Sequence, residues 1–342
     1  MQKFLKALSV SVTLLLLFTV SAFADDVGEP TFEPYSPAYL EWLKQHENDS
    51  SSPQLLRSGA GETHNNGYIP FHIDLSHLAD NPPIETNDSP VPLLKDTAIP
   101  SKYDLRDVNG KSYVTSVKNQ NPYGTCWAHA SIGAIESNLL MKGLGTYDLS
   151  EMHLAWFTFR NSDSSKRVGS YQNSSLETIL NLGGNAFYPT TLFSRLSGPT
   201  TEAEAPYPTQ PSKANPDDYT MAVRLREVYY LAMNSGRVNV NSPTTNRDIV
   251  KRRIMENGSV MASYYSVASN YRKTASNGTS YYYSSSSTNH AVQIVGWDDS
   301  YSSSNFKTNP GVDGAWLIKN SWGDKWWNGT ENVGDDGYFW MS

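Results

Sequence analysis

The sequence predicts an α+β protein whose first half is helical and whose second half is mostly β-sheet. In the first half, apolar residues recur every three or four positions, which is the period of one helix face. In the second half, short apolar runs are bounded by Gly, Asn, Asp and Ser, which is the pattern of strands. A hydrophobic content of 38% over 342 residues is sufficient for a packed core.

The N-terminal residues have the features of an export signal, which we predict to span residues 1–24. Lys3 and Lys6 precede an apolar run from Leu8 to Val20, and Ala22-Phe23-Ala24 supplies a small-residue cleavage pattern. The apolar run is too short for a membrane span in the mature chain. We therefore expect an exported protein that is extracellular, periplasmic or associated with the cell envelope.

Residues 25–98 differ in composition from the rest of the chain, because they are rich in Pro, Asn, Asp and Ser. They contain one helical candidate, Ala38 to His46, and runs that cannot build a core alone. We predict a pro-like segment that packs against the following domain or is removed by trimming between about Leu94 and Ser101. The domain itself is predicted to span residues 99–342.

The helical half of the domain begins with its best helix, Thr125 to Gly143. Ala128, Ile132, Ile135 and Leu139 give this helix one apolar face. Further helices are predicted near residues 150–160, 175–182 and 247–256. Strands are predicted at Val260–Tyr265, Ala291–Trp297, Trp316–Lys319 and Tyr338–Met341, with the Ser- and Tyr-rich residues 264–289 forming a long hairpin or surface loop.

The charge and the cysteine count narrow the functional classes. The net charge is -7 and no basic patch stands out, so nucleic acid is not an expected partner. Cys126 is the only cysteine, so an intrachain disulfide is excluded. An unpaired thiol in an exported protein is either buried and inert or used in chemistry.

The surroundings of Cys126 favour a reactive thiol. It lies at the start of the best helix, where the backbone N–H groups and the helix dipole stabilise a thiolate. His290 directly precedes one predicted strand, and Asn320 directly follows another. Taken singly, these two residues would be a core or surface histidine and a turn residue. Side by side, the amide can hold one imidazole nitrogen and leave the other facing the sulfur.

Several segments together are similar to those of papain-like cysteine peptidases, in the order of that family from about Ser101 to Met341. Ser116–Gln120 followed by Gly124–Ala128 resembles the family's active-site segment. Asn289–Val292 resembles its histidine segment, and Trp316–Gly323 resembles its asparagine segment. The resemblance extends to Tyr103–Arg106, Leu182–Gly184, Glu204–Pro208 and Gly337–Phe339.

The resemblance implies a papain-like fold of two lobes, with a helical N-terminal lobe, an antiparallel β-barrel-like C-terminal lobe and the active-site cleft between them. It implies that Cys126 attacks the scissile carbonyl and that His290 pairs with it as imidazolium and later protonates the leaving amine. Asn320 would orient His290. Trp322 would shield that hydrogen bond and, with Gly183 and Gly184, line the substrate site.

The resemblance also implies how substrate is held. The side-chain amide of Gln120 and the backbone N–H of Cys126 would stabilise the oxyanion. Gly183 and Gly184 would let the substrate backbone lie close, because neither carries a Cβ. The implied substrates are proteins or peptides, with no cofactor and no metal; His129 has no second ligand at helical spacing.

The resemblance thus implies a cysteine-type endopeptidase made as a zymogen, and the N-terminal signal features indicate that it is exported. Two alternatives are open. The same acyl-thioester could be captured by an amine, which gives acyl transfer, or the fold could serve as an inactive surface or binding module. The chain lacks the second cysteine that often precedes the nucleophile, and the region before Ser101 lacks the family's long charged-aromatic helix. It stops at Met341-Ser342, as expected of a truncated product or the front of a longer protein; the oligomeric state is left open.

Overall fold

The computed structural model describes residues 35–46, 66–74, 98–160, 171, 174–231, 246–285 and 287–342. The predicted export signal, residues 1–24, lies outside the described residues, and so do residues 94–97 of the predicted trimming range from Leu94 to Ser101. Tyr35–Ser342 forms one compact unit. Among the described residues, none of the helices has the length and apolar character needed to cross a bilayer.

The helices match the helical first half that the sequence predicts. They are α1 (Pro37–His46), α2 (Cys126–Met141), α3 (Glu151–Phe159), α4 (Leu176–Leu180), α5 (Phe187–Ser194) and α6 (Asn246–Asn257). The sequence analysis missed α5, because its run FYPTTLFS contains a proline followed by two threonines, which are weak helix formers. Its buried Leu192 and Phe193 provide the tertiary packing that stabilises it.

The second half forms one large sheet and a small two-stranded one. The strands are β1 (Lys102–Asp104), β2 (Val260–Tyr264), β3 (Tyr271–Thr274), β4 (Gly278–Tyr281), β5 (His290–Asp298), β6 (Ala315–Lys319), β7 (Trp326–Trp327), β8 (Asn332–Val333) and β9 (Tyr338–Met341). The large sheet has the order β1-β5-β6-β9-β4-β3, with β2 also pairing with β5, and β7 pairs with β8. Within residues 264–289, predicted to be a long hairpin or a surface loop, β3 and β4 form a hairpin of two four-residue strands.

Strand β5 is the central element of the sheet. Strands β1 and β2 pair antiparallel with successive parts of it, and β6 pairs antiparallel with its other edge. At the start of β5, successive side chains point to opposite faces of the sheet and reach two different hydrophobic cores. Ala291 belongs to the helical core, whereas Val292 and Ile294 belong to the sheet core.

Helix α2 lies where the two cores meet. Every side chain from Cys126 to Gly133 is buried, so the first two turns of the helix are covered on all faces rather than on one stripe. The predicted apolar face is part of this burial, with Ala128 and Ile132 fully covered. Because α2 packs against β5, the two-lobe α+β fold brings the start of the helix to the start of the strand.

Candidate active site

Cys126 is the first residue of α2, and its thiol lies against the first residues of β5. The Sγ atom accepts a hydrogen bond from the backbone N–H of Ala291 at 3.3 Å, and Ala291 directly follows His290. A second N–H, that of Gly67, donates to the same sulfur at 3.3 Å. The side chain is fully buried. The structure therefore brings the predicted nucleophile and the predicted histidine segment together.

Burial raises the pKa of the Cys126 thiol to about 12, against the opposing influence of the N–H groups of Ala291, Gly67 and the helix start. The helix position alone predicts a lowered pKa. The difference has a physical cause: residues 66–74 cover the sulfur and exclude water, which disfavours the charged form. In this covered state the thiol is protonated at neutral pH.

His290 and Asn320 are held side by side by two neighbouring strands. His290 begins β5, and Asn320 follows the last residue of β6. The Nε2 atom of His290 lies 2.9 Å from the Oδ1 atom of Asn320, which also accepts from the N–H of Ser321 at 2.8 Å. An amide oxygen only accepts, so Nε2 carries the hydrogen in this contact. Nδ1 is the ring nitrogen that does not contact Asn320 in this pair.

Aromatic rings fix the plane of the imidazole. The ring of Trp322 stacks on His290 with 4.4 Å between centroids and 21° between planes. Tyr264 approaches the same ring at 5.6 Å in an edge-on arrangement. Trp322 continues into the sheet core through Trp326 at 5.6 Å. The ring that the sequence analysis assigns to shielding therefore covers the imidazole.

Gln120 connects the two lobes at the edge of the cleft. Its backbone N–H donates to the carbonyl of Ser321 at 2.8 Å, and the Ser321 hydroxyl donates to Oε1 of Gln120 at 2.7 Å. The Nε2 atom of Gln120 donates to the carbonyl of Tyr123 at 3.0 Å. The side chain is fully buried, so these bonds fix the orientation of its amide.

Residues 66–74, the cleft segment, lie across the site. The N–H of Tyr68 donates to the carbonyl of Asn289 at 3.1 Å, and the N–H of Ile69 donates to that of Gly184 at 2.9 Å. In return the N–H of Gly184 donates to the carbonyl of Gly67 at 2.8 Å. Tyr68 and Gly184 thereby form a parallel β-bridge, and the cleft segment is bonded to both lobes.

The orientation of Gly67 explains how the cleft segment can lie on a thiol without presenting a bond to attack. The carbonyl of Gly67 points to Gly184, and the group directed at the sulfur is an N–H. A Cβ at position 67 would lie 1.7 Å from the carbonyl oxygen of Gly124, so only glycine fits there. The approach at Gly183 is similar, because a Cβ on that residue would lie 2.9 Å from the carbonyl oxygen of Gly67.

Gly184 also lies where a side chain would not fit. A Cβ there would lie 2.5 Å from the ring of Trp127, which is fully buried behind the nucleophile. The two glycines that sequence reasoning assigns to the cleft are thus both required by close approaches, one to the cleft segment and one to the core.

Tyr68 fills a pocket beside the thiol. Its side chain is only 9% exposed and belongs to the helical core. Burial raises the pKa of the Tyr68 phenol, and hydrogen bonding with the Ser263 side chain acts in the opposite direction. Ser263 pairs with Ala291 across β2 and β5, so both side chains point to the same face of the sheet, toward the cleft.

Helix α1 adds a further layer over the cleft segment. The N–H of Ser36 donates to the carbonyl of His72 at 2.9 Å, and the Ser36 hydroxyl donates to that of Phe71 at 2.5 Å. The ring of His72 meets that of Phe187 on α5 at 4.5 Å. The described part of the predicted pro-like segment is therefore packed on the helical lobe.

A cluster of charged residues lies behind the site and was missed by the sequence analysis; Glu136 and Glu151 are buried, whereas Asp148 is largely exposed. The ammonium of Lys118 contacts Glu151 at 3.0 Å, Asp148 at 2.8 Å and Glu136 at 3.5 Å. Glu136 accepts from the hydroxyl of Thr115 at 2.6 Å. Burial raises the pKa of Glu151 to about 8, against the attraction of Lys118. The cluster has no sequence signature, because its members come from separate elements.

The described residues contain no group of three or more His, Cys, Asp or Glu side chains placed to hold a metal ion. His129, which the sequence analysis considered as a metal ligand, is buried in α2. Its Nδ1 atom lies 3.0 Å from the carbonyl of Thr125, and burial lowers its pKa to about 3.

A cysteine at the start of a buried helix, in a cleft between a helical lobe and a sheet lobe, is the arrangement of the two-lobed cysteine proteases. Residues 99–342 match the model of the family described as "Papain family cysteine protease". The chain belongs to this family.

Relatives and solved structures agree with this assignment. A "Cysteine protease" of Blomia tropicalis is 28% identical over 236 residues, which is 68% of this chain and 60% of that protein. Cathepsin S of Bos taurus is 24% identical over 302 residues, covering 82% of this chain and 75% of that one. The chain therefore spans only about 60% of the length of the first of these relatives.

Among solved structures, the cysteine protease and lectin-like domains of Cwp84, a surface layer associated protein of Clostridium difficile, superpose with a TM-score of 0.60 and 26% identity. That match covers 91% of this chain and 56% of the Cwp84 chain. A structure of clostridial Cwp84 after propeptide cleavage gives a TM-score of 0.53 at 28% identity, covering 71% of this chain and 54% of that one.

Proposed function

We propose that this chain is an exported cysteine endopeptidase that hydrolyses peptide bonds, with Cys126 as nucleophile and His290 as acid and base. The observation that carries the proposal is the position of the Cys126 sulfur. It accepts from the N–H next to His290, whose ring is held by Asn320 and covered by Trp322. Family membership supports the reaction class, and the export features of residues 1–24 support the location.

The proposed reaction runs in two steps. The Cys126 thiolate attacks the scissile carbonyl, and Nδ1 of protonated His290 gives its proton to the leaving amine as the C–N bond breaks. Neutral His290 then takes a proton from water, whose oxygen attacks the thioester carbonyl. The acid leaves and the thiolate–imidazolium pair is restored. Asn320 keeps the ring in one orientation through both proton transfers.

The oxyanion that forms in each step needs hydrogen-bond donors in fixed positions. We assign this role to the Gln120 side-chain amide and the backbone N–H of Cys126. The bonds that Gln120 makes to Ser321 and Tyr123 fix its amide before substrate arrives, which is the preorganisation such a site requires. Removing one such donor typically costs about 100- to 1000-fold in rate.

We propose that residues 25–98 act as a pro-segment that holds the enzyme inactive until it is trimmed. The cleft segment supports this, because it excludes water from Cys126 and presents an N–H to the sulfur. After trimming, the cleft segment no longer desolvates the thiol, and the helix start can stabilise the thiolate. The pocket that Tyr68 fills then becomes available to an apolar or aromatic side chain of the substrate.

The test is the pH profile of Cys126 alkylation by iodoacetamide, before and after trimming with an added protease. Burial holds the thiol pKa near 12 in the covered state, so the untrimmed protein should react appreciably only in strongly alkaline solution. The trimmed protein should react near neutral pH or below and cleave peptides. Identical slow profiles for both forms, with no cleavage, would contradict the proposal.

A peptide cleavage assay in the presence of added amines separates hydrolysis from acyl transfer. The proposal predicts free acids as the products. Amide products formed in preference to acids would favour the acyl-transfer alternative, and a trimmed protein that alkylates but cleaves nothing would favour the binding module.

A further inference from the structure

Tyr207 lies beneath the part of the chain that carries both proposed oxyanion donors. Its hydroxyl donates to the backbone carbonyl of Gln120 and lies 2.8 Å from the Oγ1 atom of Thr125. A phenol has one hydrogen, and this one goes to the carbonyl, so the Thr125 hydroxyl donates to the Tyr207 oxygen. One side chain therefore connects the residue that supplies the first donor to the residue just before Cys126, which supplies the second.

Tyr207 is itself held in place. Its backbone N–H donates to the Glu202 carboxylate at 2.7 Å. The His129 ring meets the tyrosine ring edge-on at 4.9 Å, and the Nδ1 atom of His129 bonds to the carbonyl of Thr125. Burial raises the pKa of the Tyr207 phenol, so the hydroxyl remains a donor throughout the pH range in which the enzyme would act.

The hydrogen bond between Thr125 and Tyr207 replaces an ordinary helix cap. Thr125 occupies the N-cap position of α2, but its side chain makes no capping hydrogen bond to the helix. Its hydroxyl is used to fix the loop relative to residue 207, 82 positions along the chain. A cap would stabilise α2 alone, whereas this bond fixes the start of α2 relative to Gln120.

We propose that Tyr207 is a positioning residue for the oxyanion site, and that it holds the Gln120 amide and the Cys126 N–H at the separation which the tetrahedral intermediate requires. The proposal rests on the function proposed above. Tyr207 touches neither the sulfur nor the substrate in this arrangement; it acts through the backbone of Gln120 and through Thr125. Such an effect appears only when negative charge develops on the carbonyl oxygen, so it should lower kcat and leave substrate binding unchanged.

The test compares two reactions of Cys126 in the trimmed protein. Alkylation by iodoacetamide needs the thiolate but forms no oxyanion, whereas peptide cleavage needs both. For Tyr207→Phe we expect kcat to fall by about tenfold or more, which is less than the 100- to 1000-fold expected on removing a donor outright. KM and the alkylation pH profile should match the wild type, and affinity for a peptide aldehyde, whose adduct carries the same oxyanion, should fall with kcat.

Two further variants keep the test informative. Tyr219→Phe removes another mostly buried hydroxyl of the helical lobe, one that accepts from the N–H of Lys213 at 3.0 Å, and it should leave kcat unchanged. Thr125→Val preserves the shape of Thr125 and removes its hydroxyl. The losses from Thr125→Val and Tyr207→Phe should be less than additive in the double variant, because both break one connection.

Equal losses in alkylation and cleavage for Tyr207→Phe would mean that the change acts on the thiol or the fold, and would overturn the proposal. Unchanged kcat would overturn it as well. A wild-type protein that neither alkylates near neutral pH nor cleaves peptides would instead remove the proposed function, so the two failures are distinguishable.

Discussion

The two lobes bring their reacting groups to the cleft by different physical means. On the helical side, Cys126 and Gln120 are held by hydrogen bonds from backbone and side-chain groups, with the Lys118 charge cluster behind them. On the sheet side, His290 is held by its hydrogen bond to Asn320 and by the packed rings of Trp322 and Tyr264.

The difference indicates what each side contributes. Hydrogen bonds in a buried site define positions to within tenths of an ångström and leave costly unsatisfied partners when one is removed. Aromatic stacking fixes the plane of a ring while tolerating small shifts along it. We therefore expect variants on the helical side to affect the covalent chemistry itself. Variants on the sheet side should act through the orientation and protonation of the imidazole.

The largest effect is expected on the helical side, for Cys126→Ala. Without the sulfur no acyl-enzyme can form, so cleavage should fall to background. The fold should persist, because Ala keeps most of a small buried side chain. The measurement is peptide cleavage together with circular dichroism. Retention of near-normal cleavage would remove the mechanism altogether.

The second-largest effect is expected for Gln120→Ala, which should lower kcat by about 100- to 1000-fold and change KM little. The matched control is Gln293→Ala, which removes another buried glutamine whose Oε1 accepts from Ser259 at 3.1 Å. The comparison uses kcat and KM measured separately. A loss confined to KM, or an equal loss of kcat in the control, would argue against an oxyanion role.

On the sheet side, Asn320→Ala should lower kcat by about 100-fold, the lower part of the range for a well-placed acid or base. The imidazole would lose its hydrogen-bond partner and its fixed orientation, so the alkylation pH profile should shift as well. Asn328→Ala, which removes a buried amide that donates to Tyr271 at 3.1 Å, is the control and should leave this profile unchanged. A fall in kcat with an unaltered profile would contradict the orienting role.

The smallest effect is expected at Gly67. It concerns the cleft segment, which covers Cys126, rather than the catalytic residues. Gly67→Ala places a Cβ where the Gly124 carbonyl lies, so the cleft segment should seat poorly. Alkylation of the untrimmed protein should accelerate about tenfold, the change that 1.4 kcal/mol of lost docking produces. The trimmed variant serves as its own control, because residue 67 is absent from it. An unchanged rate in the untrimmed form would mean that the cleft segment does not control access.

Much of the fold was predictable from the sequence, because its elements have strong local patterns. The period of α2, the short apolar runs of β5, β6 and β9 and the Gly-bounded turns predicted the α+β class, and the family resemblance implied its two lobes. The structure confirms both. The placement of Cys126, His290 and Asn320 close together was predictable because each stands at the end of an element, in a motif with a family resemblance.

Other features depend on contacts that no local pattern records. Tyr207 reaches Gln120 across 87 positions, and Gly67 reaches Cys126 across 59. The Tyr-Pro motif at 207–208 was visible, but its partners were not. The charge cluster needed the packing of α2 against α3 before Glu136 and Glu151 could meet at Lys118. The raised pKa of Cys126 depends on a cover that the sequence could only suggest.

The most direct test of the central claim is titration of the trimmed protein with a peptidyl epoxide, followed by mass spectrometry of the modified chain. The account predicts one equivalent of label, located on Cys126, with cleavage activity lost in proportion to labelling. The Cys126→Ala protein should take up no label. Full cleavage activity in a protein whose Cys126 is completely labelled would contradict the account.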